Sequence, residues 1–338
     1  MSEIDLIDAI LKQALELERI AAGDQAEALK ALRELERQLV GIAATGNITG
    51  ASKRKLDELI AEADRAIAAA YTQAGGAVDV ATLMIHVAEG TEAILGPLTG
   101  GAKLLSDAKL ASLSNNVLLE GTPLRDWWKG QEQATARQFA AQVRQGAANN
   151  ETVDRIVQRI VGKGSEPGIM DVTRRHARTL VHSSVMAAAN DARLASFRKA
   201  SKYIAGVRWL ATLDSHTCPR CAALDGQAWD LDGNKQDGTR VDFTSPPLHA
   251  SCRCVLSPIP KRNEFTADFA TIGDRVSSLG PQPNGTTFNE FFKRMSAAEQ
   301  DEQFGPARAQ LVRDGKITVR DLVSGTGREL KLSELRKR

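Results

Sequence analysis

Aromatic residues are scarce in this chain, at 4% of 338 positions, and cysteines number only four. So few rings argue against a large sheet core, because strands pack through aromatic and β-branched side chains. No apolar run approaches the ~20 residues needed to cross a bilayer, so no membrane contact is expected. The opening Met1-Ser2-Glu3 is acidic and lacks a signal-peptide pattern. The expectation is a protein made and kept in a cytoplasm, where thiols stay reduced. Excess charge is missing too: the formal net charge is +2, which gives no global argument for nucleic acid. Nor is there a Gly-x-Ser-x-Gly, P-loop or Gly-x-Gly-x-x-Gly fingerprint.

What the chain has is alanine, leucine and helical periodicity. Residues 3–42 carry Ile4, Ile7, Leu11 and Leu15 on one stripe. After an expected break at Gly23-Asp24, Leu29, Leu32, Leu35 and Leu39 continue a similar one. Ser52 or Thr49 can cap a second helix that ends at Gly75-Gly76, and a third is predicted from Asp79 to Leu95. Residues 1–97 thus form an N-terminal helical region, and the Gly-, Ser- and Asn-containing stretch 98–122 is expected to be a linker. Helix returns over 123–161, with Trp127-Trp128 as a core anchor. A Gly/Pro loop spans 162–168, and a long Ala-rich helix runs over about 170–202.

The period then changes. Val207 to Leu213 alternates as a strand, and short strands are predicted at Ala228–Trp229 and Arg240–Phe243. Residues 261–287 read as a second linker. Residues 288–338 form a helical extension, with helices over Phe288–Met295 and Ser296–Asp314 and a basic end. From Arg308 to Arg338 nine Lys/Arg face four Asp/Glu, which suits either an acidic partner or DNA, or a solvated, partly disordered tail. The fold class is a multi-domain, mainly α protein with one small α+β lobe.

That lobe holds all four cysteines. Cys218-Pro219-Arg220-Cys221 is followed after 27 residues by His249-Ala250-Ser251-Cys252-Arg253-Cys254. A two-residue gap lets both ligands of a tight turn face one ion, and His249-x-x-Cys252 repeats that geometry. Cys218, Cys221, His249 and Cys252 make a tetrahedral Cys3His shell, best suited to zinc and structural because no position stays open. Cys254 and His216 are the alternative ligands. Disulfides or unligated thiols are the competing readings. A phosphate-binding lobe is the weaker one, since Asp214, Asp225, Asp230, Asp232, Asp237 and Asp242 outnumber Arg208, Arg220, Arg240 and Arg253.

The combined pattern resembles a known family. Trp209-x-x-x-x-Asp214, Thr217-Cys218-x-x-Cys221, Leu224-Asp225-Gly226 and Pro246-Pro247-x-His249-x-x-Cys252-Arg253-Cys254 are similar to the phage Mu F-like minor head proteins. Arg178-Thr179 and Ala189-Asn190-x-Ala192-Arg193 sit where that family has a helix. The likeness covers about 125–258, within a domain drawn at 123–260 whose metal lobe spans 207–258. It implies a virion protein of a tailed double-stranded DNA phage. Such a protein is made in the host cytoplasm and placed inside the head near the portal, with several copies around it. Its implied partners are the portal protein, the major capsid or scaffold protein and packaged DNA. His216 stands where many relatives carry Arg.

Catalysis has little behind it, and no enzyme is expected. Some relatives carry a fused ADP-ribosyltransferase or other toxin, but the only echo here is Gln300-Asp301-Glu302, without a preceding Ser-Thr-Ser strand. His176 and His182 are six apart and do not share a helix face. Cys218 as a nucleophile needs an unligated sulfur and a base.

Overall fold

The computed structural model describes residues 3–46, 48, 51–236, 238–261, 274–275, 277–283 and 285–337. The chain is mainly helical with small sheets, as its composition predicts. Thr49, Asp237, the side chain of Ile4 and most of the expected linker at 261–287 lie outside the described residues. The chain divides into two compact units. One takes Met1–Leu17, Ala81–Asn115 and Met186–Arg338, the other Glu18–Val80 and Asn116–Val185.

The first helix, α1 (Glu3–Thr45), runs straight through the break expected at Gly23-Asp24. A helical glycine costs about 1 kcal/mol, and no proline removes a hydrogen bond there. Buried Leu17, Ala21, Ala28 and Leu32 hold the turns on either side. Leu29, Leu32, Leu35 and Leu39 are buried as expected; of the first stripe Ile7 is buried but Leu15 is 53% exposed, while Leu6, Ile10 and Leu17 are buried beside it. Helix α2 (Lys53–Gly75) starts where Ser52 accepts the Lys55 amide and ends at Gly76, both as predicted. Helix α3 (Val80–Thr99) carries Pro97 inside its last turn rather than stopping before it.

The stretch 98–122 is folded rather than a linker. It holds α4 (Asp107–Ser114), capped by Ser106, and β1 (Leu118–Leu119), which pairs with β2 (Thr122–Pro123). Helices α5 (Leu124–Ala148) and α6 (Val153–Val161) follow, the latter capped by Thr152. The Gly/Pro loop is a tight hairpin of β3 (Gly162–Lys163) and β4 (Glu166–Pro167). The long helix α7 spans Ile169–Lys199.

In the unit that contains α2 and α5, side chains of three helices form one chain of hydroxyls. Tyr71 Oη lies 2.7 Å from Thr135 Oγ1, which lies 3.2 Å from Thr173 Oγ1. Trp128 packs edge-on to Tyr71 and Trp127 donates to the Leu119 carbonyl, but both rings are half-buried rather than in the core. Gly146 lets α6 approach closely, because a Cβ there would sit 2.4 Å from Ile156. The Arg174 guanidinium joins Glu36 and Asp171, and His182 Nε2 meets both oxygens of Glu18 at 3.1 Å.

The other unit centres on an antiparallel sheet. After α7 come β5 (Ile204–Leu210), α8 (Pro219–Leu224), β6 (Ala228–Asp230), β7 (Lys235–Gln236) and β8 (Val255–Pro260). The strand order is β7-β6-β5-β8. The strand expected at 240–243 is absent, and β7 takes its place. The edge strand β8, unforeseen because of Pro258 and Pro260, pairs along the whole of β5. Trp209 and Trp229 are fully buried on adjacent strands. Helix α7 is tied to β8 by Asn190, whose amide donates to the Cys254 carbonyl (3.3 Å) and whose carbonyl accepts the Leu256 amide (3.4 Å). One turn on, the buried Arg193 donates through Nε to Gln13 Oε1 (2.7 Å), and Gln13 donates to the Val87 carbonyl.

The C-terminal extension is ordered. Strands β9 (Asp274–Arg275) and β10 (Gln282–Pro283) pair antiparallel. Helices α9 (Phe288–Arg294), α10 (Ala297–Phe304) and α11 (Pro306–Arg313) follow. The single helix expected over Ser296–Asp314 is split, because Gly305 takes φ 79° and Pro306 opens α11. Phe288, Phe291, Phe292 and Phe304 stack into a small core, Phe292 and Phe304 at 4.6 Å between centroids. The basic end folds back as a 3-10 turn (Val319–Leu322) and α12 (Leu332–Leu335). Its charges are partly answered: Arg308 pairs with Glu329, Arg313 with Asp301 and Arg328 with Glu334.

Two stability predictions come from buried charge in this unit. Arg275 and Asp225 form a bidentate pair at 2.6 and 2.9 Å with almost no exposure. Replacing Arg275 with Met strands the carboxylate and should cost about 3–5 kcal/mol in urea unfolding; a loss under about 1 kcal/mol would contradict it. Asp191, largely buried on α7, is pushed up to about 6 by burial, with Arg198 opposing. The folded state therefore keeps a proton that the unfolded chain sheds near the ordinary carboxylate pKa. Stability should fall as pH rises from about 4 through about 6, by about 2–3 kcal/mol. The Asp191→Asn variant should lose that slope, measured by denaturation across this pH window.

Candidate metal centre

Two local structures bring the ligands together. The first begins where β5 ends. Asp214 accepts the His216 amide (3.0 Å) and the Thr217 hydroxyl (3.2 Å), turning the chain back. Cys218 is then the N-cap of α8, with Pro219 in the first turn. An N-cap side chain and the third residue of a helix lie on the same side, so Cys218 and Cys221 face one point. The Cys221 amide donates to Cys218 Sγ at 3.4 Å.

The second turn is built on Ser251, at φ 60°, with the Cys252 amide donating to the His249 carbonyl at 3.1 Å. His249 Nδ1 lies 2.8 Å from the Ala250 carbonyl. Donation there fixes the ring and leaves Nε2 as the ligating nitrogen. Nε2 sits 3.2 Å from both Cys218 Sγ and Cys221 Sγ, and Cys221 Sγ lies 3.6 Å from Cys252 Sγ. A tetrahedral shell with metal–sulfur bonds of about 2.3 Å has sulfurs ~3.8 Å apart, so small opening movements would seat an ion.

Cys254 is also present. Ligand atoms of Cys218, Cys221 and His249 form one group within 4.8 Å, and those of Cys221, Cys252 and Cys254 form another. Either could hold a metal ion, and Cys221 belongs to both. Cys252 and Cys254, two residues apart, both bring their sulfurs within 4.8 Å of that of Cys221. His216 is exposed and belongs to neither group. All four cysteines are free of disulfides.

These side chains shift one another's protons. The hydrogen bond from Cys221, with those of His249 and the backbone, pulls the Cys218 thiol down to about 4. Cys252 is lowered by its bond from Cys221. Cys221 is raised by its bonds to Cys218 and Cys252, and Cys254 is raised chiefly by burial. His249 is pushed up to about 11, first by its bond to Cys218. A metal must displace the protons held on His249 and Cys221, so affinity for the ion rises with pH.

A second layer straps the two turns together. Arg253 makes a bidentate pair with Asp214 at 2.6 and 3.0 Å. Burial raises the Asp214 carboxyl, but Arg253 outweighs it and holds the group below its usual range. From α10, Gln303 donates to the carbonyls of Asp214 (3.0 Å) and Thr217 (2.8 Å). Spacing reveals the ligands but not Gln303, which is 51 residues beyond Cys252 and carries no local signal.

Residues 134–257 match the family model for phage Mu protein F like protein. This segment is Mu F-like. No curated protein and no solved structure matches the chain. The Mu F-like segment covers α5 from the end of its third turn onward, α6, α7 and the sheet as far as the middle of β8, with both cysteine-bearing turns. Among the described residues no helix is long and apolar enough to cross a membrane.

Because Cys221 is shared by both groups, Cys221→Ser should abolish metal retention after gel filtration. His216→Ala should leave it unchanged, and a loss equal to that of Cys221→Ser would return His216 to the ligand set.

Proposed function

We propose that this chain is a structural minor head protein of a tailed double-stranded DNA phage. It docks at the portal vertex and inner capsid during head assembly, in several copies, and its lobe is closed by a structural zinc. The Mu F-like segment carries the first part of this reading. The donor set carries the second. Three thiols and an imidazole suit an ion with no redox chemistry and no demand for an open position. Cys218, Cys221, His249 and Cys252 are the preferred ligands, with Cys254 as the substitute for Cys252.

The reading includes no catalytic role. The Gln300-Asp301-Glu302 sequence lies in α10, and the Gln300 amide is buried and spent on the carbonyls of Phe292 (2.6 Å) and Met295 (3.2 Å). These bonds tie α10 to the end of α9.

Purified protein should carry about one equivalent of zinc, and chelation should lower its unfolding temperature. Less than half an equivalent, with stability indifferent to chelators, would remove the zinc from the proposal. A phage lacking the gene should give few DNA-filled infectious heads; normal yields would overturn the assembly role.

A further inference from the structure

The two cysteine-bearing turns are anchored to different parts of the chain. The second, at 249–254, runs directly into β8, and Asn190 of α7 donates to the Cys254 carbonyl (3.3 Å). Asn190 and Cys254 both lie in the Mu F-like segment, which ends at residue 257. The first turn and α8 are held by residues beyond that segment. The Ser278 amide donates to the Leu213 carbonyl (2.9 Å). Gln303 of α10 donates to the carbonyls of Asp214 (3.0 Å) and Thr217 (2.8 Å). Arg220, between Cys218 and Cys221, donates through Nε to the Gly327 carbonyl (3.2 Å). At the other end of α8, Asp225 accepts the Phe288 amide and the Arg275 guanidinium.

These bonds bear on the ligands. The Thr217 carbonyl is part of the peptide that joins Thr217 to Cys218. Fixing it fixes the plane from which Cys218 starts, and with it the direction of the N-cap sulfur. Gln303 Oε1 is buried without a hydrogen bond. An oxygen left so costs stability; what the side chain supplies is the pair of donated bonds. Arg253 already crosses between the two turns through its pair with Asp214. An ion held by Cys218, Cys221, His249 and Cys252 would cross between them a second time. It would join a turn held by the extension to a turn held by α7.

We propose that the metal centre clasps the C-terminal extension to the Mu F-like segment, with Gln303 as a positioning residue for Cys218. The inference rests on the metal reading given above and carries it into a region outside the family match. Loading of the ion and docking of the extension stabilise one another, and such coupling is reciprocal. A partner that draws the extension away weakens the hold on the ion, and loss of the ion loosens the extension.

The test uses the full chain loaded with zinc, with release followed by the absorbance of a chromophoric chelator in excess. Gln303→Met keeps the length of the side chain and removes both donors. It should speed release about tenfold or more, the scale of two lost hydrogen bonds. Lys316→Gln, which breaks an exposed pair with Asp314 in the same extension, should stay within about twofold of wild type. Hydrogen exchange on wild type supplies the converse and needs no variant to fold. Stripping zinc should speed exchange of the backbone amides in α9 and α10, and leave those of α2 and α5, in the other unit, unchanged. Equal release from Gln303→Met and wild type would overturn the clasp, and so would exchange in α9 and α10 that ignores zinc. In either case zinc retained by wild type leaves the structural metal standing. A wild type that retains none removes the metal reading and the clasp together.

Discussion

The Asp225 carboxylate accepts four donors in a site with almost no exposure. They are the Ala211 amide (2.8 Å), the Phe288 amide (2.8 Å) and both terminal nitrogens of Arg275 (2.9 and 2.6 Å). The donors come from three different stretches of chain: the exit of β5, the start of α9 and the hairpin strand β9. Asp225 itself follows α8, the helix that carries Cys218-x-x-Cys221. A buried carboxylate is tolerable only when its lone pairs are filled. The metal lobe and the C-terminal extension must therefore fold together, because neither alone completes this site.

That constraint changes what a metal does here. Residues 207–258 alone suggest a lobe with too few apolar strands to stand without an ion. In the folded protein β8 completes a four-stranded sheet, and Trp209 and Trp229 are fully buried in it. The extension adds its own ring cluster, and Gln303 grips the first metal-binding turn. The lobe has a core. The ligand cluster instead sets the spacing of the two turns, one at the N-terminus of α8 and one just before β8. An ion held there would fasten those turns more than the sheet beside them.

What could be read from the sequence follows from how local each signal is. Cys218-x-x-Cys221 and His249-x-x-Cys252 are readable because a tight turn alone sets the direction of both ligands. Ser52 and Gly76 are readable for the same reason, since a cap is a matter of a few neighbouring atoms. The strand β8 is hidden by Pro258 and Pro260, which argue against a ladder. It survives because it is the edge of the sheet, where the missing amides face outward. The α1 break was expected from Gly23, but a helix held by tertiary packing on both sides absorbs one glycine. The stripe 7-11-15 and the observed one differ by a single position, and only the packed partners decide between them. Arg275 lies in a stretch with the composition of a linker, so its pairing with Asp225 had no local trace. The family likeness fares better than periodicity at Asn190 and Arg193. Nothing in their spacing explains them, whereas the fold shows Asn190 joining α7 to β8 and Arg193 joining α7 to Gln13 of α1.

The same bookkeeping of hydrogen bonds indicates where partners engage. Around the cysteines nearly every polar group is committed. Asp214 is held by Arg253, His216, Thr217 and Gln303, and the Cys254 carbonyl by Asn190. A surface whose donors and acceptors face inward gains little from a new partner, since each new bond breaks an old one. Contact with a partner is therefore disfavoured at the two cysteine-bearing turns, whose groups are committed to holding those turns in place.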